Sequence, residues 1–221
     1  GTLNILTAAG NDTITINSAT NAHNVTNLTL NTGTDTDSIA VAGSATVTGT
    51  MILTTTGSIA DSGAGGTLSA DSLKLDSGTG VGTAGNVIDT TVTTLAAQAS
   101  TSGGVFVAET DGLTIGTVDS LSGLTTANGA VTLVSTNGDI AVDQDIVAGD
   151  AGADEEFDVI IQAEGTATGT NQIDLNATVQ ADNDADIRAA VDIRQASATD
   201  FIIADTLRLE AGGDIATSTS V

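Results

Sequence analysis

The sequence predicts an all-β protein, a parallel β-solenoid whose coils are roughly 20 residues long. The first observation is that short β-branched segments recur along the whole chain, bounded by Gly, Asn, Asp, Ser and Thr. The second is that apolar positions recur at intervals of roughly 20 residues, which is typical of solenoid repeats. They are Leu28, Ile52, Leu73, Leu95, Leu113 and Val131. The third is that aromatic residues make up only 1% of the chain, which leaves Ala, Val, Ile and Leu to build the core.

The strand-like segments follow one another with turn residues between them, and each is short, roughly three to eight residues. In chain order they are "DTITI", "NLTL", "DSIAV", "ATVTGTMILTTT", "SLKL", "GVFVA", "GLTIG", "AVTLVS", "GDIAV", "FDVIIQA", "NQIDLNATV", "DIRAAVDIRQ", "FIIADTLRLE" and "GDIA". Only "DTTVTTLAAQA" has a spacing compatible with a helix. We therefore expect a single solenoid array over residues 1–221, a segment or processed subunit of a longer exported protein.

Alternation of apolar and polar residues predicts which side chains face the core. One face of "DIRAAVDIR" carries Ile187, Ala189, Val191 and Ile193, and the other carries Asp186, Arg188, Asp192 and Arg194. In the next segment, Leu207 and Leu209 are expected to point inward, with Arg208 and Glu210 outward. About ten coils, stacked about 4.8 Å apart, would form a rod on the order of 50 Å long.

The main alternative fold is a string of β-sandwich domains. Sandwiches normally have an aromatic core and hairpin turns that contain Pro or Asn-Gly. The chain contains no Pro, and Asn-Gly occurs only at Asn128-Gly129 and Asn137-Gly138. We therefore prefer the solenoid.

The stretch "GTGVGTAG" contains Gly80, Gly82 and Gly85 in the G-x-G-x-x-G spacing of dinucleotide-binding loops. That site requires a helix N-terminus facing the pyrophosphate, whereas the β-branched run "NVIDTTVTT" follows here. The acid at a suitable distance downstream, Glu109, belongs to the turn "AETDG". We therefore interpret the three glycines as turn residues where the coil changes direction.

Charge restricts the partners of the chain. The sequence has 28 acidic residues against four Lys and Arg residues, for a formal net charge of −24. Nucleic acids and anionic membranes bind basic surfaces, so we expect neither nucleic-acid binding nor membrane insertion. The absence of Cys removes disulfides and thiol chemistry. Metal cations are the natural counterpart of such a surface.

Residues 57–117 resemble the repeats of very large bacterial surface proteins of the filamentous-haemagglutinin type. The shared pattern is "GSI" followed by a Leu-x-Leu strand, then G-V-G-T-x-x-N-x-I-x-T-x-V-x-x-L, then "SGGVFV". The continuation to residue 148 resembles the same repeats. This resemblance implies an exported, extracellular protein that folds as a right-handed parallel β-helix and serves as an adhesin or cell-surface fibre.

The expected function is a non-enzymatic structural or adhesive segment, a stiff rod or filament at the cell surface. Uncapped solenoid ends expose strand edges, and head-to-tail contacts that do not close generate filaments. We therefore expect head-to-tail self-association, with surface glycans or other cells as further partners. One alternative is a calcium-organised surface-layer or matrix protein. Another is a β-helix polysaccharide lyase.

Two acidic clusters are candidate calcium sites, because hard cations prefer converging carboxylate and carbonyl oxygens. The first contains Asp150, Asp154, Glu155 and Asp158, and the second contains Asp182, Asp184 and Asp186. The second begins like an EF-hand loop, but Ile187 and Ile193 occupy the positions that would need Gly and Glu. Solvated acidic turns are the alternative interpretation. Turns with Gly and Asp also precede "TITI" and "SIAV", although a site there would require full adjacent repeats.

No catalytic motif stands out. A polysaccharide lyase would combine calcium with a basic residue, and only Arg188 and Arg194 lie near an acidic cluster. Their outward position beside Asp186 and Asp192 also fits mutual neutralisation along the strand. His23 is the sole histidine and has no partner motif beside it. Four Asn residues head glycosylation sequons, which also suit turns: Asn11, Asn24, Asn27 and Asn176.

Overall fold

The computed structural model describes residues 1–17, 25–63, 65–149, 158–166, 170–197 and 199–217. These residues form a parallel β-solenoid of about 8 turns, with about 23 residues per turn. The predicted fold class is confirmed. Within these ranges no helix has the length and hydropathy needed to cross a membrane.

The strands are short and are separated by turns. In chain order they are β1 (Thr2–Leu6), β2 (Thr13–Ile16), β3 (Asn27–Asn31), β4 (Ser38–Val41), β5 (Ala45–Thr46), β6 (Thr50–Thr55), β7 (Ile59–Asp61), β8 (Thr67–Ser77), β9 (Ile88–Ala99), β10 (Val105–Glu109), β11 (Leu113–Ile115), β12 (Thr117–Val118), β13 (Leu121–Ser122), β14 (Leu124–Thr126), β15 (Val131–Ser135), β16 (Ile140–Val142), β17 (Ile146–Val147), β18 (Val159–Ala163), β19 (Ile173–Leu175), β20 (Val179–Gln180), β21 (Asp184–Ala189), β22 (Ile193–Gln195), β23 (Ile202–Ile203), β24 (Thr206–Ala211) and β25 (Ile215–Thr217).

Parallel pairing between successive coils builds continuous faces. Along one face Leu30 pairs with Leu53, Leu53 with Leu75, and Leu75 with Ala97. The same face continues from Ala97 to Leu124. Along another, β10, β15, β18, β21 and β24 stack in order. Apolar residues of successive coils therefore lie directly above one another. Of the six positions used to predict the repeat, Leu28, Leu73 and Leu95 share one column through Met51, whereas the other three lie in different columns.

The core follows the alternation of the strands. In β10, β15 and β18 every second residue is buried. The column Val107, Leu133, Ile161 and Ile187 is fully buried. In the described part of the chain, the buried apolar side chains are Leu, Ile, Val, Ala and a single Met, and none is aromatic. Stacked small aliphatic side chains pack a narrow core closely, because each one meets its counterpart in the next coil.

The predicted inward residues of "DIRAAVDIR" are largely confirmed. Ile187, Ala189 and Ile193 are buried, and Val191 is half-buried. Leu207 is 43% exposed although it aligns with the inward residue Ala185. It lies in the last described coil, where no further coil covers the core.

Two expectations need correction. The segment "DTTVTTLAAQA" is not helical, because it forms most of β9, which pairs along its length with β8. β-branched residues suit this extended conformation. The described stack also has about 8 coils and not ten, while its coil length of about 23 residues is close to the expected length of roughly 20. At about 4.8 Å per coil the described stack is about 40 Å long.

A hairpin interrupts the solenoid between β11 and β14. β12 and β13 pair antiparallel, with positive φ at both turn residues, Asp119 (46°) and Ser120 (68°). Such a turn matches the twist of a two-residue hairpin. Lys74 lies on the outer side of β8, and its Nζ is 3.4 Å from Asp119 Oδ2. The hairpin therefore folds back over the outer surface of a preceding coil.

The glycine-rich loop at residues 80–85 is a turn. Gly80 and Gly82 have positive φ, 128° and 64°. Thr83 and Asn86 bond each other through their backbones, at 2.9 and 3.1 Å, and close the loop around Gly85. The chain then enters β9 and not a helix, so the loop lacks the helix N-terminus on which pyrophosphate binding relies.

Candidate functional site

The structure describes four of the seven residues that the sequence predicts as calcium ligands. Asp150, Asp154 and Glu155 lie outside the described residues, as does His23. Asp158, Asp182, Asp184 and Asp186 are described. Within the described ranges no three His, Cys, Asp or Glu side chains form a metal-binding group.

Asp158, the described residue of the first predicted cluster, contacts the turn that carries the second cluster. It precedes β18, and its Oδ2 accepts a hydrogen bond from Asn183 N in the next coil. Its backbone N–H donates to Asp184 O at 3.0 Å. Asp158 is fully buried, and its Oδ1 has no hydrogen-bond partner among the residues described. Stacking thus places residues that are about 25 positions apart in sequence side by side.

Asp186 has a different environment. It belongs to the outward side of β21, yet it is fully buried because arginine side chains cover it. Arg188 Nε donates to Asp186 Oδ1 at 2.8 Å, and Arg208 Nη1 lies 3.8 Å from Oδ2. This ion pair raises the pKa of Arg188. Asp182 is exposed and Asp184 is half-buried. The outward charges on these strands therefore neutralise one another.

Carboxylates recur at one structural position, immediately before the first residue of a strand. That first residue is an inward Ile after Asp139, Asp145 and Asp192, and it is Ser38 after Asp37. Each accepts the backbone N–H of the aligned residue in a neighbouring coil. The pairs are Asp37 with Asp12, Asp139 with Gln172, Asp145 with Thr178, and Asp192 with Asp214, at 2.7 to 3.0 Å. We call these four contacts carboxylate rungs. They extend the hydrogen bonding of the coils into the turns, where strand pairing ends.

The carboxylate rung of Asp192 favours the ionised form of that side chain. The N–H of Asp214 lowers the pKa of Asp192 below its usual value, and Arg194 lowers it further. Arg194 Nη2 lies 2.8 Å from Asp192 Oδ2. Much of the acidity in the turns therefore has a structural use, which the sequence clusters alone did not reveal.

Glu109 is a buried carboxylate that the sequence placed in a turn. It ends β10 and is fully buried at the bend of β9. Thr90 Oγ1 donates to its Oε2 at 2.7 Å, and Val92 N lies 3.2 Å from both carboxylate oxygens. Thr110 N donates to Oε1 at 3.0 Å. Burial raises the pKa of Glu109 to about 7, although the Thr90 hydroxyl opposes that rise.

The bend in β9 interrupts its pairing with β10 and β11, and Glu109 accepts a backbone N–H there. Thr90 pairs with Glu109, and Thr94 pairs with Thr114, so the β10–β11 side has one residue more than β9 between the two pairings. The ladder is interrupted there, as at a β-bulge. The Glu109 side chain accepts the N–H of Val92 inside this interruption. Its role is to satisfy backbone donors inside the coil stack.

Two shallow grooves lie on the outer surface. One, of about 430 Å³, is lined by residues that include Gln162, Glu164, Arg188 and Glu210. The other, of about 470 Å³, lies beside the hairpin and is lined by residues that include Thr29, Thr50, Ile52 and Asp119. The first groove combines Ala and Gly residues with these four polar side chains, and the second is lined mainly by hydroxyl, amide and carboxylate groups, so both offer polar contacts to other molecules.

All four cationic side chains already contact carboxylates. Lys74 lies near Asp76 and Asp119, and the three arginines contact Asp186, Asp192 and Glu210. Among the described residues, most of the other acidic side chains therefore form no ion pair with a Lys or Arg side chain. No known protein family, curated protein or solved structure is significantly similar to the chain.

Proposed function

We propose that the chain is a non-enzymatic extracellular shaft, a structural or adhesive segment that forms a stiff rod or filament at the cell surface. The observation that carries this proposal is the continuous parallel stack of about 8 turns. Backbone hydrogen bonds and a shared core connect every coil to the next, so bending the rod would break many contacts together. The sequence resemblance to surface proteins of the filamentous-haemagglutinin type supports the same function.

Both ends of the described stack expose apolar side chains. Leu3, Ile5 and Leu6 are 40 to 72% exposed in the first coil, whereas Leu30, which stacks beneath Ile5, is 2% exposed. Exposed apolar residues at the other end are Phe201, Ile203, Leu207 and Ile215. An apolar hollow of about 180 Å³ opens beside Leu3 and Ile5. A further coil stacked on either end would bury this surface, which supports head-to-tail assembly.

The polar and negatively charged sides of the rod favour binding of polar partners and oppose side-by-side aggregation of rods. Outward positions carry Thr, Asn, Gln and carboxylate side chains, and the net charge is −24. Like charge on neighbouring rods opposes side-by-side aggregation, while hydroxyl and amide groups remain free to bind polar partners. Surface glycans or other cells are the partners that we propose.

Asn4 provides a direct test of end-to-end stacking. Gly1 O accepts from Thr26 N, and Thr7 N donates to Asn31 O, so alternate residues from Gly1 to Thr7 bond the second coil. The N–H of Asn4 therefore points to the open edge of β1. Asn4→Pro removes that donor without removing a bond inside the chain. We expect electron microscopy to show filaments for the unaltered protein and much shorter particles for Asn4→Pro.

Asn4→Ala is the matched control because it keeps the backbone N–H, and its filaments should have the unaltered length. Circular dichroism checks that each variant retains its β structure. Compact particles of uniform size from the unaltered protein would contradict the shaft. Filaments of full length from Asn4→Pro would show that this edge does not mediate assembly.

A second function, a calcium-organised surface layer or matrix, is favoured by the buried Oδ1 of Asp158, which lacks a hydrogen-bond partner among the described residues. A buried carboxylate oxygen of this kind requires a partner such as an ion or water. This function predicts ordered arrays that disperse with a chelator and fail to form with Asp158→Asn. Arrays or filaments that persist in chelator would favour the shaft alone.

A further inference from the structure

The turn between β3 and β4 contains a buried carboxylate oxygen without a partner. Asp37 is only 3% exposed. Its Oδ1 accepts the N–H of Asp12 at 2.7 Å, whereas its Oδ2 is buried and has no hydrogen-bond partner within the described ranges. An unpartnered buried carboxylate oxygen is strongly unfavourable, so a group from outside the chain is required to satisfy it.

Other oxygen atoms converge on the same space. Gly33 has a φ of 94°, and the position that a Cβ would occupy there lies 3.9 Å from Asp37 Oδ2. The same position lies 3.9 Å from Ala8 O and 4.0 Å from Thr7 O. Neither carbonyl accepts any of the described hydrogen bonds. Because Gly33 has no side chain, the space between the turns of the first and second coils stays open.

The charge around this space is negative. Asp35 lies in the same turn, where its Oδ2 accepts the N–H of Gly10 at 2.8 Å. Asp12 lies in the turn of the preceding coil. All four Lys and Arg side chains form their ion pairs with other carboxylates, so none compensates Asp37. A ligand here must therefore be positive, and the available donor atoms are all oxygens.

We propose that this space binds Ca²⁺, with Asp37 Oδ2 as the charged ligand and the carbonyl oxygens of Thr7 and Ala8 as neutral ligands. Hard divalent cations prefer such all-oxygen sites and complete their coordination with water. A single charged ligand predicts weak binding, with a dissociation constant of about 10⁻⁴ to 10⁻³ M, as in extracellular calcium modules. The ion links the turns of the first two coils. The site does not depend on the function proposed above.

Asp37→Asn tests the site with little change in shape. The amide keeps an oxygen for the N–H of Asp12 and replaces Oδ2 with an NH₂ group that can donate to the two carbonyls. We expect calcium at about 10 mM to raise the melting temperature of the unaltered protein by a few degrees in a saturable way. Sodium chloride of equal ionic strength serves as the reference. Asp37→Asn should lose the calcium-specific rise without melting lower in the absence of calcium.

Asp145→Asn is the matched control. Asp145 forms the same type of carboxylate rung, because its Oδ1 accepts the N–H of Thr178 at 3.0 Å. Its replacement by Asn removes one negative charge, as Asp37→Asn does. It should keep the calcium-specific rise. The site is wrong if the unaltered protein shows no such rise, if Asp37→Asn retains it, or if both variants lose it equally. Should Asp37→Asn fail to fold, a lanthanide soak of unaltered crystals must show an anomalous peak beside Asp37 Oδ2, and no peak there would equally overturn the site.

Discussion

Individual glycines and carboxylates determine how closely the coils approach in the turns. Gly82 combines a positive φ of 64° with a close approach, because a Cβ built on it would lie 2.7 Å from Phe106 O in the next coil. Gly85, in the same loop, has open space around its Cβ position. The three glycines therefore resemble a nucleotide-binding motif in spacing, while their physical roles differ from one residue to the next.

The two glycines predict opposite mutational results. Gly82→Ala should destabilise the protein by about 1–3 kcal/mol, because the methyl group meets backbone and the φ is unfavourable. Gly85→Ala should be neutral or stabilising by up to about 1 kcal/mol, because it only restricts the unfolded chain. Urea unfolding measures both free energies. Equal destabilisation by the two substitutions would contradict the turn geometry described here.

Glu109 predicts an unusual dependence of stability on pH. Its folded pKa of about 7 lies above the ordinary value of 4.5, so folding favours the protonated carboxyl. This contribution to stability is complete below the ordinary pKa, decreases as pH rises towards about 7, and is constant above that. Urea unfolding at about pH 5 and about pH 8 should therefore show a loss of stability at the higher pH.

Glu109→Gln should remove most of that loss, because the amide does not titrate. Glu210→Gln is the control, since Glu210 is exposed and its ion pair with Arg208 lies on the surface. It should retain the loss that the unaltered protein shows. A pH dependence that is unchanged in Glu109→Gln would assign the effect to other groups.

At the scale of strands and turns, the carboxylate rungs are the main addition to what the sequence predicts. Asp139 Oδ1 accepts the N–H of Gln172 at 3.0 Å between the starts of β16 and β19. Hydrogen bonds to charged groups contribute more than neutral ones, about 1.5–3 kcal/mol. The rungs therefore stabilise coil stacking at positions where the strands no longer pair.

Asp139→Ala should lower the free energy of unfolding by about 1–3 kcal/mol, because it leaves the Gln172 N–H without that acceptor. Asp139→Asn should lower it less, since the amide oxygen can still accept. Asp174→Ala is the control, because Asp174 lies on the outward side of β19 and pairs with Ala141 in the preceding coil. Chemical denaturation of the three variants measures the difference. Equal losses for Asp139→Ala and Asp174→Ala would exclude a structural role for the rung.

The sequence predicts the strands well and the contacts between coils poorly. Apolar alternation correctly identifies Ile187 and Ala189 as core residues, because alternation is a local property of a strand. The burial of Asp186 depends on Arg208, which lies in the next coil. Such pairings depend on the lengths of the intervening turns, and those lengths vary along this chain. The hairpin of β12 and β13 lengthens one of these turns, and no pattern in the sequence predicted it.

At the scale of the whole molecule, the fold is a stack that can be extended at both ends. Inner coils bury inward side chains such as Leu53, Leu133 and Ile161 completely, while the terminal described coils leave equivalent apolar side chains partly exposed. Each added coil would bury one apolar layer and pair one set of backbone groups, so we expect growth along the axis to be favourable. The negative sides oppose lateral growth. Together these properties predict thin, long particles.

The most direct test of the shaft is X-ray diffraction from aligned filaments of the purified protein. Because the coils stack along the rod, their spacing of about 4.8 Å should appear as a reflection on the meridian, parallel to the filament axis. Asn4→Pro, prepared in the same way, should give no oriented pattern. A reflection of this spacing on the equator, with the strands running along the filament, would contradict end-to-end stacking of the solenoid.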